Sequence, residues 1–214
     1  YTEKPDLETY MREMTALIES KSGERGIYNK ASAKTQASKW GRRSDKIEYG
    51  TNPCSEIILR DKQFCNLTEV VIRSDDTYKA IHRKVVLATI LGTIQSTLTD
   101  FKYLSKEWKQ NTEEERLLGV SLTGIMDNAT MNGSEMALGN YSLPKLLGQL
   151  KDYARETNEK WATMLGIPSS TAITCVKPSG TVSQLVNSAS GIHARHNPYY
   201  IRRIRMDKKD PMYV

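Results

Sequence analysis

Three kinds of reactive side chain fall within five residues in Asn52-Pro53-Cys54-Ser55-Glu56, and a second cysteine follows eleven residues after the first, in Phe64-Cys65-Asn66-Leu67. A cysteine behind the turn signal Tyr49-Gly50-Thr51-Asn52-Pro53 can act as thiolate nucleophile, metal ligand or radical carrier. The plainer alternative is a small buried hydrophobe, the commonest fate of a free cysteine. Glu56 could be a general base if its carboxylate comes within about 2.6 to 3.2 Å of the proton it takes; its plainer role is a surface glutamate at a strand start. Asn52, both donor and acceptor, could orient a hydroxylated ligand or simply shape an Asn-Pro turn.

A second constellation is Lys177-Pro178-Ser179-Gly180-Thr181-Val182-Ser183, directly after the strand-like run Thr171 to Val176. Strand, glycine turn and helix in that order point free backbone N–H groups at a phosphate. The hydroxyls of Ser179, Thr181 and Ser183 and the amides of Gly180, Thr181 and Val182 are the available donors. No GK[ST] follows, so this is not a Walker loop, and an ordinary Pro-Ser-Gly turn is the alternative. His193 and His196 flank Arg195, but with three histidines in the chain a metal centre is not expected.

The pattern N-P-C-S-E-I with C-N-L eleven residues on resembles the catalytic segment of ribonucleotide reductase large subunits. With Lys177 to Ser183 and Ser190-Gly191-Ile192-His193-Ala194-Arg195-His196, it is most similar to the adenosylcobalamin-dependent class II enzymes, and the motifs run in the family's order over nearly the whole chain. Ser22-Gly23-Glu24-Arg25-Gly26-Ile27-Tyr28-Asn29 resembles the family's S-G-E-P-G-I-F-N, with Arg25 where proline is common.

The resemblance implies that Cys54 carries a thiyl radical that abstracts the ribose 3′ hydrogen, Glu56 is the base on the 3′-OH, Asn52 holds the sugar hydroxyls, and Cys65 is half of a reducing dithiol. It implies that Pro178, Ser179, Gly180, Thr181, Val182 and Ser183 bind the substrate phosphates, that adenosylcobalamin is the radical source, and that a thioredoxin-like or other thiol reductant serves the full-length enzyme. The implied fold is part of a ten-stranded α/β barrel, a single partial catalytic-barrel domain over 1–214 with the Cys54 segment as its central finger loop. The partner of Cys65 and the C-terminal cysteine pair of the family lie outside this stretch, so the chain alone is not expected to turn over. Cys175 matches no redox position and reads as core.

Composition sets the wider frame. A chain of 214 residues with 38% hydrophobic and 26% charged residues can bury a core and reads as a soluble globular protein. The longest apolar segment, Val85 to Leu98, is broken by polar residues and does not read as a membrane span. The opening Tyr1-Thr2-Glu3-Lys4-Pro5 has no initiator methionine and no signal-peptide pattern, and reads as a piece of a longer protein. A net charge of +6 suits anionic partners, nucleotide phosphate being the simplest. Three rival readings stay open: a class I large subunit served by a metal-containing partner subunit, a non-catalytic basic nucleic-acid-binding module, and a thiol-redox or metal-binding protein.

Helices and strands follow from the spacing of apolar residues. Asp6 to Ser20 has helical spacing, with Leu7, Tyr10, Met11, Met14, Leu17 and Ile18 on one face. The basic stretch Lys30 to Lys46 predicts an exposed loop or helix. Glu56 to Leu59 and Leu67 to Ile72 read as strands flanking the polar turn 60–63, which would bring Cys54 and Cys65 near each other. Tyr78 to Phe101 predicts a long helix, capped by Ser74, Asp75 or Asp76, with Ile81, Val85, Leu87, Leu91, Ile94 and Leu98 inward. Thr112 to Glu115 fits a capping box ahead of 116–124. Ser142-Leu143-Pro144 opens a helix stopped by Gly166 and Pro168, with Leu146, Leu147, Leu150, Tyr153, Trp161 and Leu165 inward. Tyr199 to Arg205 alternates apolar and basic residues as a half-exposed strand would. Strands alternating with helices make the whole α/β.

Overall fold

A computed structural model describes residues 4–22, 26–133, 142–201 and 203–213. The chain forms two compact units, Tyr1–Tyr49 and Gly50–Val214.

In the first unit, α1 (Leu7–Glu19) starts where Asp6 accepts the Thr9 amide, and α2 (Lys30–Ser38) starts where Asn29 accepts that of Ser32. Each is a side-chain cap that satisfies an amide the helix itself cannot. The apolar stripe of α1 is present but mostly exposed: Leu7, Tyr10, Met11 and Ile18 are exposed, and Met14 and Leu17 are half-buried. The expected glycine turn at Gly23, Glu24 and Arg25 lies outside the described residues.

The second unit holds the sheet. Here β1 (Gly50–Thr51) and β2 (Ile58–Leu59) pair antiparallel, closing a tight loop over 52–57. Strand β3 (Asn66–Val71) pairs in parallel with β4 (Leu118–Thr123) in the register Thr68 to Val120. A third extended segment continues the parallel sheet beyond β4, through the bridge of Val120 with Thr174 and the amides of Leu118 and Val120 donating to Ala172 and Ile173. The two runs either side of the turn 60–63 therefore join different sheets. That turn is anchored on α4 (Lys106–Glu115): Arg60 reaches Glu114 at 2.6 Å and Asn111 at 2.8 Å, and Gln63 donates to Glu115 at 2.6 Å.

Helix α3 (Tyr78–Gln95) packs on the sheet, and helix α5 (Leu143–Leu165) packs on α3. Their core unites Val70, Ile72, Ile81, Val85, Ala88, Leu118, Val120, Leu150 and Ala154. Between the helices, fully buried Asn158 donates to Thr93 (3.0 Å) and Ser170 (2.9 Å) and accepts the Ser170 amide (2.9 Å), so its polar atoms are matched as burial requires.

Several expectations are corrected. The α3 cap is Thr77, whose hydroxyl accepts the Ala80 amide, and the helix ends at Gln95. Asp76 instead pairs with Lys84. The buried face of α3 runs through Ala88, Thr89, Gly92 and Thr93, small residues that let the sheet approach, whereas Leu87, Leu91, Ile94 and Leu98 are exposed. At Gly92 the helix lies directly against the sheet: a β-carbon there would be in van der Waals contact with Leu118 at 3.4 Å and with Thr68 at 3.5 Å. On α5, Leu146 and Leu150 face inward but Leu147, Tyr153 and Leu165 do not. Thr112 lies inside α4 rather than capping the segment 116–124, of which residues 118–123 form the central strand. No strand forms over 199–205 among the described residues; Arg202 lies outside them.

Candidate active site

The loop between β1 and β2 carries the first motif. Asn52 organises it: its side-chain oxygen accepts the Ile57 amide at 3.0 Å and its main-chain oxygen that of Ser55 at 2.9 Å. Ser55 takes the left-handed φ of 62°, which completes the turn. The carbonyl of Asn52 thus shapes the loop, and its amide nitrogen is the part left to meet a ligand. Cys54 stands exposed at the tip.

Glu56 points the other way. Its side chain is only 1% exposed, Oε1 lies 3.9 Å from the Lys177 ammonium, and Oε2 is buried without a hydrogen-bond partner. A buried carboxylate oxygen with no donor is costly unless something supplies one. Lys177 belongs to the second motif, so the structure joins the Cys54 loop to the glycine turn through this ion pair.

The thiols of Cys65 and Cys175 sense the same charge. Burial first, then the Glu56 carboxylate, push the Cys65 thiol above the ordinary thiol range, partly offset by Lys177. Cys175, half-buried rather than fully in the core, is pushed up to about 12 by burial, by Glu56 and by Cys65. Its sulfur is packed against Gly119 of β4, where a β-carbon would lie 3.2 Å from it and 2.4 Å from Leu67. A thiol with a pKa of about 12 is ionised at pH 8 in about one molecule in 10⁴. Alkylation at pH 8 is therefore expected to label exposed Cys54 first, with Cys65 slower and Cys175 slowest; mass mapping of a time course reads the order.

The second motif is held from beneath. The Lys177 amide donates to Ser121 of β4 at 2.9 Å. Helix α6 (Thr181–Leu185) comes directly after the turn with Gly180 as its N-cap, and the Ser179 hydroxyl accepts the Ser183 amide at 3.1 Å. The Ser183 hydroxyl donates back to the Ser179 carbonyl at 2.7 Å. Both serines are buried, so their hydroxyls build the turn. Among the described residues no acceptor takes the amides of Gly180, Thr181 or Val182, and Thr181 is exposed beside them. These groups and Thr181 are the ones free to meet an anion.

The third motif braces the second. Gly191, at a φ of 53°, sits so close to the turn that a β-carbon would fall 2.9 Å from the Lys177 carbonyl, and its amide donates to Thr123 at 2.8 Å. Ser190 donates to the Ser179 carbonyl. Arg195 grips Asp127 through Nε at 2.9 Å and Nη2 at 3.0 Å and also holds Asn187. Burial alone would raise the Asp127 carboxyl, but Arg195 and the Ala189 amide hold it below the usual carboxylate range. Sequence reading missed Asp127, Asn187 and Ser121 as supports of the site, since each contact joins residues more than five positions apart.

A cavity of about 610 Å³ lies along this third segment, lined by Asn187, Arg195, His196, Tyr200 and Arg203 among others. It shares Ser183 with the glycine turn and includes no residue of the Cys54 loop. No group of residues able to hold a metal ion occurs among the described residues, and no helix among them is long and apolar enough to cross a membrane.

No family model matches the chain. Individual relatives do. It is 32% identical over 190 residues to the adenosylcobalamin-dependent ribonucleoside-triphosphate reductase of Lactobacillus acidophilus, covering 78% of this chain and 25% of that protein. With the enzyme of the same name from Lacticaseibacillus paracasei it shares 27% identity over 225 residues, 92% of this chain and 29% of the other. With that from Euglena gracilis it shares 28% over 171 residues, covering 78% and 22%. A solved structure of a B12-dependent class II ribonucleotide reductase superposes with a TM-score of 0.52 at 25% identity, covering 67% of this chain and 22% of that one. The mixed helix and strand arrangement thus matches part of that fold. The chain spans between about a fifth and a third of the length of the curated relatives it matches.

Proposed function

We propose that this chain, homologous over most of its length to the adenosylcobalamin-dependent ribonucleoside-triphosphate reductases, supplies the radical cysteine, the base and the phosphate turn for reducing ribonucleotides to deoxyribonucleotides. The observation that carries the reading is the pairing of Glu56 with Lys177, which sets the Cys54 loop against the glycine turn while leaving Glu56 Oε2 without a donor. The relatives' names favour a ribonucleoside triphosphate as substrate over a diphosphate. They do not favour the class I alternative.

In this reading the nucleotide's phosphates take the amides of Gly180, Thr181 and Val182 with the Thr181 hydroxyl, and Pro178, Ser179 and Ser183 hold that turn in shape. The ribose then lies toward the Cys54 loop, with its 3′-OH as the missing donor to Glu56 Oε2 and the Asn52 amide nitrogen on a neighbouring hydroxyl. The exposed tip position of Cys54 fits a bulky radical source approaching from outside the loop. When bound, adenosylcobalamin supplies the unpaired electron.

The Cys54 sulfur, as a thiyl radical, takes the 3′ hydrogen atom. Glu56 accepts the 3′-OH proton, which makes loss of the 2′-OH as water possible. Two electrons and two protons come from Cys65 and a second thiol, which end as a disulfide, and Cys54 returns hydrogen to C3′. The sum is one ribonucleotide and one dithiol to one deoxyribonucleotide, one disulfide and one water. A thioredoxin-like or other dithiol would then reduce the disulfide.

The partial barrel is one domain in this proposal, working in the cytoplasm without membrane or direct nucleic-acid contact. The test is turnover by the full-length protein given a ribonucleoside triphosphate, a dithiol and adenosylcobalamin. Deoxyribonucleotide should form only when all three are present; formation without the cobalamin overturns the reading.

A further inference from the structure

Lys177 precedes the phosphate turn, yet its ammonium is directed at the Cys54 loop. Its nitrogen lies 3.9 Å from Glu56 Oε1, an ion-pair distance too long for a hydrogen bond, and it keeps 28% of its side chain exposed while Glu56 keeps 1%. A carboxylate buried that deeply is tolerated only with a compensating charge. Two thiols that feel its charge, Cys65 and Cys175, do not compensate it, since both are disfavoured as thiolates by the Glu56 charge. Lys177 is itself fixed, its amide bonded to Ser121 and its carbonyl packed under Gly191.

We propose that Lys177 is a positioning residue: its ammonium holds one oxygen of the buried Glu56 carboxylate, so that the other, unpartnered oxygen is presented to the substrate hydroxyl. One residue would then couple two parts of the site, since the turn that grips the phosphates also aims the base. The inference rests on the reductase reading for its consequence and on the ion pair for its substance. A simpler role for Lys177, binding phosphate as a point charge, predicts a different pattern.

The experiment compares Lys177→Met and Lys177→Arg with the parent in the full-length protein, each also in a Glu56→Gln background, by steady-state kinetics and thermal unfolding. The expected results are kcat lowered about tenfold or more in Lys177→Met with KM within about twofold, most of the loss restored by Lys177→Arg. Tm should fall in Lys177→Met but move little when the same change is made beside Glu56→Gln, because the two residues act as a pair. A raised KM at unchanged kcat, or equal Tm losses in both backgrounds, overturns the proposal. If the parent itself shows no reduction, the reductase reading fails, and the unfolding cycle alone still decides whether Lys177 holds Glu56.

Discussion

Changing Cys54 to serine in the full-length protein is expected to abolish ribonucleotide reduction, a loss on the order of 10⁴-fold or more, while leaving the fold intact. The asymmetry has two causes. A sulfur radical can exchange hydrogen with an activated ribose C–H bond because S–H and C–H bonds are similar in strength; the stronger O–H bond of serine closes that route. Structurally, Cys54 is exposed at the tip of the β1–β2 loop, where neighbours make no use of its sulfur, so stability should change by less than about 0.5 kcal/mol. Cys175→Ser is the control. Its sulfur packs against Gly119 and takes part in none of the proposed steps, and most activity should survive. Circular dichroism with a turnover assay separates the two variants.

The second large effect concerns stability. Gly124 ends β4 at a φ of +77°, its amide donates to Ala189 at 2.9 Å, and a β-carbon would stand 2.3 Å from the Ile72 carbonyl oxygen. Alanine there suffers both the left-handed backbone penalty, about 1 to 2 kcal/mol, and a clash with main chain that cannot rotate away. Gly124→Ala is therefore expected to destabilise the protein by about 3 kcal/mol or more, in the range that marks a specific steric mechanism. Because Gly124 also ties Ala189 to the sheet, the segment 188–191 that braces the phosphate turn should loosen with it. Denaturant unfolding measures the first effect, and nucleotide affinity the second. A stability equal to the parent's would show that the β3 and β4 ends are not packed as described.

The sequence made local features legible and long-range ones much less so. Helices α1 and α5 were readable because each has an apolar stripe at helical spacing, and α5 also has Pro144 at its start and Gly166 at its end. Helix α4 was not, because Lys106 to Glu115 is almost wholly polar and is held by contacts of Glu114 and Glu115 to Arg60 and Gln63, some fifty residues away in the chain. Leu87, Leu91, Ile94 and Leu98 looked like the buried face of α3 because large apolar residues usually are. The sheet instead takes the face of small residues, Ala88, Thr89, Gly92 and Thr93, which lies directly against Leu118.

At the site, residue types and spacing pointed to Cys54, Glu56 and the glycine turn, and the resemblance ordered them. What no local reading could give was the direction of each side chain. Ser179 and Ser183 look like phosphate donors in sequence, yet the Ser183 hydroxyl donates into the turn and the Ser179 hydroxyl oxygen accepts from it. Asn52 likewise gives its carbonyl to the Ile57 amide. Asp127 looked like nothing, and it anchors Arg195 and Ala189 together.

The distance from Cys54 to the bound ribose is measured directly by a structure of the full-length protein with a ribonucleoside triphosphate. C3′ of the ribose is expected within about 3 to 3.5 Å of the Cys54 sulfur, with the phosphates on the Gly180, Thr181 and Val182 amides and the 3′-OH on Glu56 Oε2. A nucleotide seated with its phosphates away from that turn, or its ribose out of reach of Cys54, would contradict it.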